Sequence, residues 1–233
     1  MLPAMREIVF DTETTGLNAN GGDRLIELGC VELHNHIATG NTFHAYLNPG
    51  RTVPADAVAI HGLDDDFLSD KPVFDAVADS FLDFVEDSPL VAHNASFDRG
   101  FINMELRRME RPEFSGERFV DTLVLARRRH PAGPNSLDAL CARYKIDNSA
   151  RTKHGALLDA EILAEVYVEL LGGRQADLGL SVKADAALVA DSHMATPQRP
   201  APLPPRLSED EARAHQAFIA DLGKKAVWLK YSG

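Results

Sequence analysis

Apolar positions along the first 173 or so residues alternate between a strand-like and a helix-like period, which is typical of an α/β domain. Strand-like segments cover residues 7–10, 25–33, 41–47 and 90–92. The first of them ends at a carboxylate, Asp11. The third is closed by the turn sequence Asn48-Pro49-Gly50.

Helix-like segments follow the third strand. Pro72 opens a helix whose apolar stripe comprises Val73, Val77, Phe81, Phe84 and Val85. Further helices are predicted over residues 98–109, from Ser136 as N-cap through Leu137, Leu140 and Tyr144, and over residues 156–171 up to Gly172-Gly173. Three strands precede the first long helix. That order favours a mixed sheet flanked by helices, as in the ribonuclease H-like class, over a doubly wound parallel sheet.

The composition changes after Gly173. Residues 174–206 are rich in proline and carry little to bury, which indicates a flexible linker between residues 1–173 and a C-terminal segment, 207–233. Ser208 and Glu211 form a predicted capping box, which opens a helix through Phe218, Ile219 and Leu222. The aromatic end of the chain, with Trp228, Leu229 and Tyr231, is too short to fold alone.

Bulk composition narrows the class of protein. The 233 residues are 45% hydrophobic and 25% charged, and no apolar run approaches the roughly 20 residues that span a bilayer. No secretory signal opens the chain. Cys30 and Cys141 stand in apolar surroundings without a CxxC or CxxH partner, as expected of core residues in a reducing compartment. We therefore predict a cytoplasmic protein.

A formal net charge of −11 argues at first sight against nucleic acid as a partner. An acidic protein can still act on DNA if bound cations cover an acidic site, or if a partner supplies the affinity.

Asp11 and Glu13 stand two positions apart on the first strand, so their side chains leave the same face. Two adjacent carboxylates repel each other unless a cation lies between them, which favours a hard divalent metal. The alternative is a solvated strand end.

Two further motifs carry chemistry. In His93-Asn94-Ala95-Ser96-Phe97-Asp98, the acid can point into a cleft at the strand's carboxyl end, or can simply cap its helix. His154 and Asp159, five apart, would diverge on one helix, but they converge if His154 lies in the loop and the helix begins after Gly155. Asp159 then shares a face with Ile162, Leu163 and Val166 and points inward, which is costly unless it is paired or metal-bound.

Together the motifs offer four carboxylates and one histidine at element boundaries, a set that suits two-metal phosphodiester hydrolysis. Histidine titrates near neutrality and can take a proton from the attacking water.

These motifs, DxE, HNxxFD and H-x4-D, resemble the signature of the DEDDh 3′→5′ exonucleases. Further stretches are similar to the proofreading (epsilon) subunits of bacterial DNA polymerase III: Thr14-Thr15-Gly16, His61-Gly62, residues 135–141 and residues 151–160. The resemblance implies a ribonuclease H-like fold, two Mg²⁺ or Mn²⁺ ions, and release of nucleoside monophosphates from a 3′ end. By position it makes Asp11, Glu13, Asp98 and Asp159 the metal ligands and His154 the general base. Asp56 and His61, with Asp11, Glu13 and Asp159, would contact the terminal nucleotide, although Asp56 also fits an exposed loop acid.

The same resemblance suggests two partners. Gln175, Leu178 and Leu180, in segment 175–180, are similar to the short motif by which bacterial replication proteins dock on the sliding clamp. Segment 208–231, from Ser208 to Tyr231, resembles the part of epsilon that holds the polymerase (alpha) subunit.

Two other functions stay open at this point. One is a free-standing exonuclease of the same superfamily that acts on RNA or DNA ends, although such an enzyme needs no tethered partner-binding helix. The other is a non-catalytic adaptor between polymerase and clamp, which the five filled catalytic positions disfavour.

Overall fold

A computed structural model describes residues 5–151, 153–172 and 208–222 of the chain. Its strands are β1 (Arg6–Thr14), β2 (Leu25–His34), β3 (Ile37–Tyr46), β4 (Leu90–Ala92) and β5 (Phe119–Asp121). Its α-helices are α1 (Ala55–His61), α2 (Asp65–Leu68), α3 (Phe74–Val85), α4 (Ala95–Arg108), α5 (Thr122–Arg129), α6 (Leu137–Tyr144), α7 (Ala156–Leu170) and α8 (Glu209–Asp221). The contacts divide the chain into two units, and β1 to α7 belong to the first.

The strands form one mixed sheet in the order β3-β2-β1-β4-β5. β2 runs antiparallel to both β1 and β3, whereas β4 is parallel to β1 and β5 is parallel to β4. The mixed sheet flanked by helices is the predicted ribonuclease H-like fold. Because β1 and β4 are parallel, their carboxyl ends lie side by side.

The alternation of β1 assigns its side chains to the two layers of helices. Ile8 and Phe10 face α3 and α4, in a core that includes Phe81 and Phe101. Val9 faces α7 and packs in a second core with Leu163 and others. Asp11 and Glu13 lie two and four residues after Val9, so their side chains leave the sheet on the same face, toward α7.

Helix α7 lies unusually close to the sheet at Gly29 of β2. A Cβ at this position would overlap the backbone of Ala156 and Leu157, in the first turn of α7. Gly29 is also the residue of β2 that pairs with Asp11. The absence of a side chain at Gly29 thus allows the first turn of α7 to sit over the carboxylates of β1.

Several predicted boundaries were wrong. β3 begins at Ile37 rather than residue 41, and β1 runs on to Thr14 because it pairs with β2 along its length. Helix α3 begins at Phe74, so Val73 is its exposed N-cap, and the buried stripe includes Ala78 instead. Helix α4 begins three residues earlier than predicted, at Ala95.

The sequence analysis missed α1, α2, β5 and α5. Each is three to eight residues long and carries too few periodic positions for its pattern to stand out. By contrast, the Ser136 cap of α6 and the end of α7 before Gly172, whose φ is +89°, were predicted correctly. Cys30 and Cys141 are buried free thiols, as expected.

In the second unit, α8 opens with the predicted capping box: the Ser208 side chain accepts from the Glu211 N–H, and the Glu211 side chain accepts from the Ser208 N–H. Phe218 is 58% exposed and Leu222 46% exposed. The candidate clamp motif at 175–180 and the aromatic tail with Trp228 lie outside the described residues. Within the described part of the chain, no helix has the length and apolar character needed to cross a membrane.

Candidate active site

A cleft of about 280 Å³ opens where β1 and β4 end and α4 and α7 begin. All five residues predicted to carry catalysis line it: Asp11, Glu13, Asp98, His154 and Asp159. They come from three motifs that are far apart in sequence, and the parallel ends of β1 and β4 bring them together.

Asp11 and Glu13 point from β1 toward α7. Desolvation raises the pKa of Asp11 well above its usual value, and the charges of Asp98 and Glu13 raise it further. Desolvation, followed by the charges of Asp159 and Glu27, raises the pKa of Glu13 to about 8. Both carboxylates are therefore held in a site that disfavours their negative charge unless a cation is present.

Asp98 lies in the same cleft but belongs to α4, on the opposite face of the sheet from α7. It is 3% exposed, and its Oδ1 accepts a hydrogen bond of 2.7 Å from the Thr12 hydroxyl. The helix cap is Asn94, so Asp98 lies inside the first turn of α4 and is not the N-cap. Burial raises its pKa to about 7, against the lowering effect of the Thr12 hydrogen bond.

His154 and Asp159 adopt the arrangement that their spacing required. His154 lies in the loop, Gly155 is the N-cap, and α7 begins at Ala156. Asp159 is 2% exposed, whereas the side chain of His154 is 47% exposed at the mouth of the cleft. The Nδ1 atom of His154 lies 3.3 Å from Asp159 Oδ2.

This donor set fits a divalent cation. One ligand atom from each of Glu13, His154 and Asp159 lies within 4.8 Å of the others, and Asp11 and Asp98 line the same cleft. The oxygen-rich set is the kind that hard cations prefer. A bound cation would also relieve the mutual repulsion that raises the carboxyl pKa values.

Sequence reasoning did not single out two residues of this site, Thr12 and Arg151. Thr12 is the middle residue of the DxE motif, on the opposite face of β1 from the two acids, where it meets α4. Arg151 donates to both oxygens of Asp159. The only sequence signal for Arg151 was its place in the stretch 151–160 that resembles the epsilon subunits.

A second cavity, of about 480 Å³, adjoins the cleft and shares Thr12, Glu13 and Phe97 with it. Asp56 and His61 of α1 line this cavity; Asp56 is exposed and His61 is buried. The His61 Nδ1 accepts from the Leu63 N–H at 3.0 Å, so the neutral ring carries its proton on Nε2. Burial lowers the pKa of His61.

Comparison with known proteins gives a consistent result. A family model described as "Exonuclease" (RNase T) matches residues 8–167. The DNA polymerase III subunit epsilon of Rickettsia felis is 44% identical over 233 residues, which cover 97% of this chain and 100% of that protein. The Escherichia coli protein of the same name is 52% identical over 176 residues, 72% of each chain.

Solved structures are similar as well. Exonuclease X, in complex with 5′ overhanging duplex DNA, superposes with a TM-score of 0.56 at 29% identity, over 72% of this chain and 92% of that one. The nuclease domain of 3′hExo, a DEDDh family member bound to rAMP, gives a TM-score of 0.63 at 16% identity, over 74% and 94% of the two chains. The latter similarity is one of fold.

Proposed function

Because this chain belongs to the exonuclease family, we propose that it is the proofreading 3′→5′ exonuclease subunit, epsilon, of a bacterial DNA polymerase III. The relatives that bear this name match it over 72% to 97% of its length. They support a metal-dependent exonuclease that acts on DNA in partnership with polymerase III.

One observation carries the proposal beyond family membership: four carboxylates and a histidine from three separate motifs converge on one cleft. A protein that only joined polymerase to clamp would not need them there. This convergence therefore disfavours the adaptor function.

Asp11, Glu13, Asp98 and Asp159 are the proposed metal ligands, for two ions of Mg²⁺ or Mn²⁺. When bound, such ions offset negative charge on the scissile phosphate and on the attacking and leaving oxygens. The chain's own contribution is to hold the four carboxylates on rigid elements. Thr12 fixes Asp98, and the close approach of α7 at Gly29 fixes Asp159.

His154 is the proposed general base. It takes a proton from the water whose oxygen attacks the terminal phosphorus. The bond from that phosphorus to the 3′ oxygen of the preceding nucleotide breaks, the 3′ oxygen takes up a proton from solvent to become a hydroxyl, and a nucleoside monophosphate leaves. The half-exposed ring at the mouth of the cleft is suited to this role, because the proton must pass on to solvent.

The adjoining cavity is the proposed site of the 3′-terminal nucleotide. Asp56 and His61 line it, and it shares Glu13 with the metal cleft. The Nε2–H of His61 has no hydrogen-bond partner among the described residues, so a substrate acceptor could satisfy it. In this proposal the terminal nucleotide must be unpaired before it enters the cavity, so a mispaired terminus enters at lower cost than a paired one.

Segments 208–231 and 175–180 are the proposed docking sites for the polymerase alpha subunit and the sliding clamp. The exposed Phe218 and Leu222 of α8 are suited to a partner surface. A protein of net charge −11 gains little from phosphate contacts, so attachment to the polymerase would supply the affinity for DNA.

The test is an assay of the full-length protein with Mg²⁺ on 5′-labelled primers whose 3′ ends are matched or mismatched, together with co-purification with alpha. We expect mononucleotide release, faster on mismatched ends, and a stable complex with alpha. Asp11→Ala and Asp159→Ala should each abolish release.

Equal rates on both primers, without a complex, would favour the free-standing exonuclease. Near-normal activity in either variant would contradict the metal-ligand assignment.

A further inference from the structure

The guanidinium of Arg151 lies inside the candidate metal site, where only 9% of its side chain is exposed. Its Nε and Nη2 donate to the two carboxylate oxygens of Asp159, at 2.5 and 2.8 Å. Nη2 also lies 2.7 Å from Nδ1 of His154. Arg151 therefore contacts two of the three residues whose ligand atoms cluster within 4.8 Å.

These contacts use the oxygens of Asp159 that a metal ion would need, and one of the two ring nitrogens of the proposed base. A bidentate guanidinium engages both oxygens of Asp159, so at least one of these hydrogen bonds must break before the carboxylate can bind a cation at full strength. The same Nη2 donates to the lone pair of His154 Nδ1, so that nitrogen cannot accept a proton while the contact lasts.

Electrostatics explains why an arginine lies here. Asp159 is 2% exposed, and a buried carboxylate without a counter-charge is costly. The charge of Arg151 also opposes the rise in the pKa of both Asp11 and Glu13. Arg151 thus places a positive charge within the acidic cluster.

Arg151 also has a contact outside the cluster. Its Nη1 donates at 2.7 Å to Oδ1 of Asp138, whose side chain is 63% exposed at the edge of the cleft. Asp138 is held in turn by Asn148, whose Nδ2 donates to the same oxygen at 3.2 Å. An arginine that releases Asp159 can thus stay tethered at the rim.

We propose that Arg151 is a positioning residue that acts as the internal cation of the metal-free site: it holds Asp159 and His154 in place and is displaced toward Asp138 when a divalent metal binds. This inference rests on the metal site of the proposed function. It predicts that metal and Arg151 compete for Asp159.

The test is a calorimetric titration of the full-length, metal-free protein with Mn²⁺, which needs no nuclease activity. Arg151→Gln removes the competing cation and should tighten Mn²⁺ binding about tenfold or more, since a charge-assisted hydrogen bond is worth roughly that factor. Arg151→Lys keeps the charge but loses the planar, bidentate guanidinium. Its Mn²⁺ affinity should lie between those of wild type and Arg151→Gln.

Lys153→Gln is the matched control. It removes the same charge two residues away, from an exposed side chain whose ammonium donates a 3.4 Å hydrogen bond to the Val58 carbonyl. We expect its Mn²⁺ affinity to stay within about twofold of wild type, because a solvent-exposed charge is largely screened.

Two results would overturn the inference. In one, Arg151→Gln binds Mn²⁺ no more tightly than wild type. In the other, Arg151→Lys has the Mn²⁺ affinity of wild type, and Lys153→Gln has the Mn²⁺ affinity of Arg151→Gln. Such a result would indicate a through-space charge effect alone. A wild-type protein that binds no Mn²⁺ would instead contradict the proposed metal site.

Thermal unfolding gives a second readout. With EDTA, Arg151→Gln should unfold at a lower temperature than wild type, because Asp159 loses its counter-charge. With saturating Mn²⁺ the difference should shrink, since the metal replaces that charge. An equal difference in both conditions would show that Arg151 plays no part in a competition with metal.

Discussion

At the scale of single residues, three acidic groups of the candidate site have surroundings that oppose their ionisation. Desolvation is the largest cause of the raised pKa at Asp11, Glu13 and Asp98 alike. Such groups become ionised at neutral pH only if a cation offsets their charge. Because a metal binds the ionised form, both metal binding and stability must depend on pH.

The first prediction follows from Glu13. Its pKa rises from 4.5 to about 8 on folding, so the folded protein holds a proton that the unfolded chain loses. The stability of the metal-free protein should therefore fall as pH rises through this window. Glu13→Gln should flatten that fall and raise the melting temperature near pH 8, measured by thermal unfolding in EDTA.

Glu32→Gln is the control for this titration. Hydrogen bonds from Thr39 and Arg6 lower the pKa of Glu32 to about 2, so it stays ionised throughout the same window. Its removal should leave the slope of stability against pH unchanged. A Glu13→Gln protein with the wild-type slope would contradict the raised pKa.

The second prediction concerns His154. As the general base, it acts on the rate of the chemical step, so His154→Ala should lower kcat by roughly 10²–10⁴-fold. Mn²⁺ affinity should barely change if His154 is not a ligand. Its Nδ1 lies 3.3 Å from Asp159, close enough that a large loss of Mn²⁺ binding in calorimetry would reassign it as one.

At the scale of elements, the site depends on how close α7 comes to the sheet. Asp159 lies in the first turn of α7 and His154 just before it, so a shift of this helix moves both relative to Asp11 and Glu13. Gly29 sets the distance of approach, because a side chain there would meet helix backbone, which cannot yield as a flexible side chain can.

The third prediction is that Gly29→Ala damages both stability and activity. Overpacking of this kind typically costs about 1–3 kcal/mol. A displacement of about 1 Å can lower turnover by roughly 10²-fold. Gly100→Ala, in α4, is the matched control: its Cβ would meet no atom within 4 Å, so kcat should stay close to wild type. Its stability should not fall, because alanine is the better helix former. Thermal unfolding and kcat on a short single strand measure the two effects.

At the scale of the whole molecule, the nuclease unit is joined in sequence to α8 through a long proline-rich stretch. A tether replaces weak affinity by effective concentration, whose size depends on how well the length of the linker matches the distance between the two sites. In the proposed arrangement the docking segments, and not the acidic nuclease surface, would determine how often the site meets a primer end.

The fourth prediction tests this arrangement. Truncation after residue 180 should leave cleavage of short single strands unchanged but abolish association with the polymerase alpha subunit. In the full chain, Gln175→Ala with Leu178→Ala should weaken clamp binding and spare alpha binding. Capture of alpha by the 1–180 fragment in a pull-down would show that the polymerase interface lies elsewhere.

Patterns of short range were enough to predict much of this protein. The two-residue period of a strand puts Asp11 and Glu13 on one face. His154 and Asp159 would point in different directions if both lay on one helix, so α7 must begin after His154, and Gly155 is its N-cap. The capping box at Ser208 marks the start of α8. Each is a rule about neighbours in the chain, so the sequence alone determines it.

Other features were decided by contacts between residues far apart in sequence. The Thr12 hydroxyl meets Asp98 across 86 positions, and β5 forms because β4 pairs with it. The fit of α7 over Gly29 and the contacts of Arg151 with Asp159 and Asp138 depend on how whole elements pack. No local propensity encodes such contacts, because the free energy that holds them comes from packing and charge pairing that exist only in the folded chain.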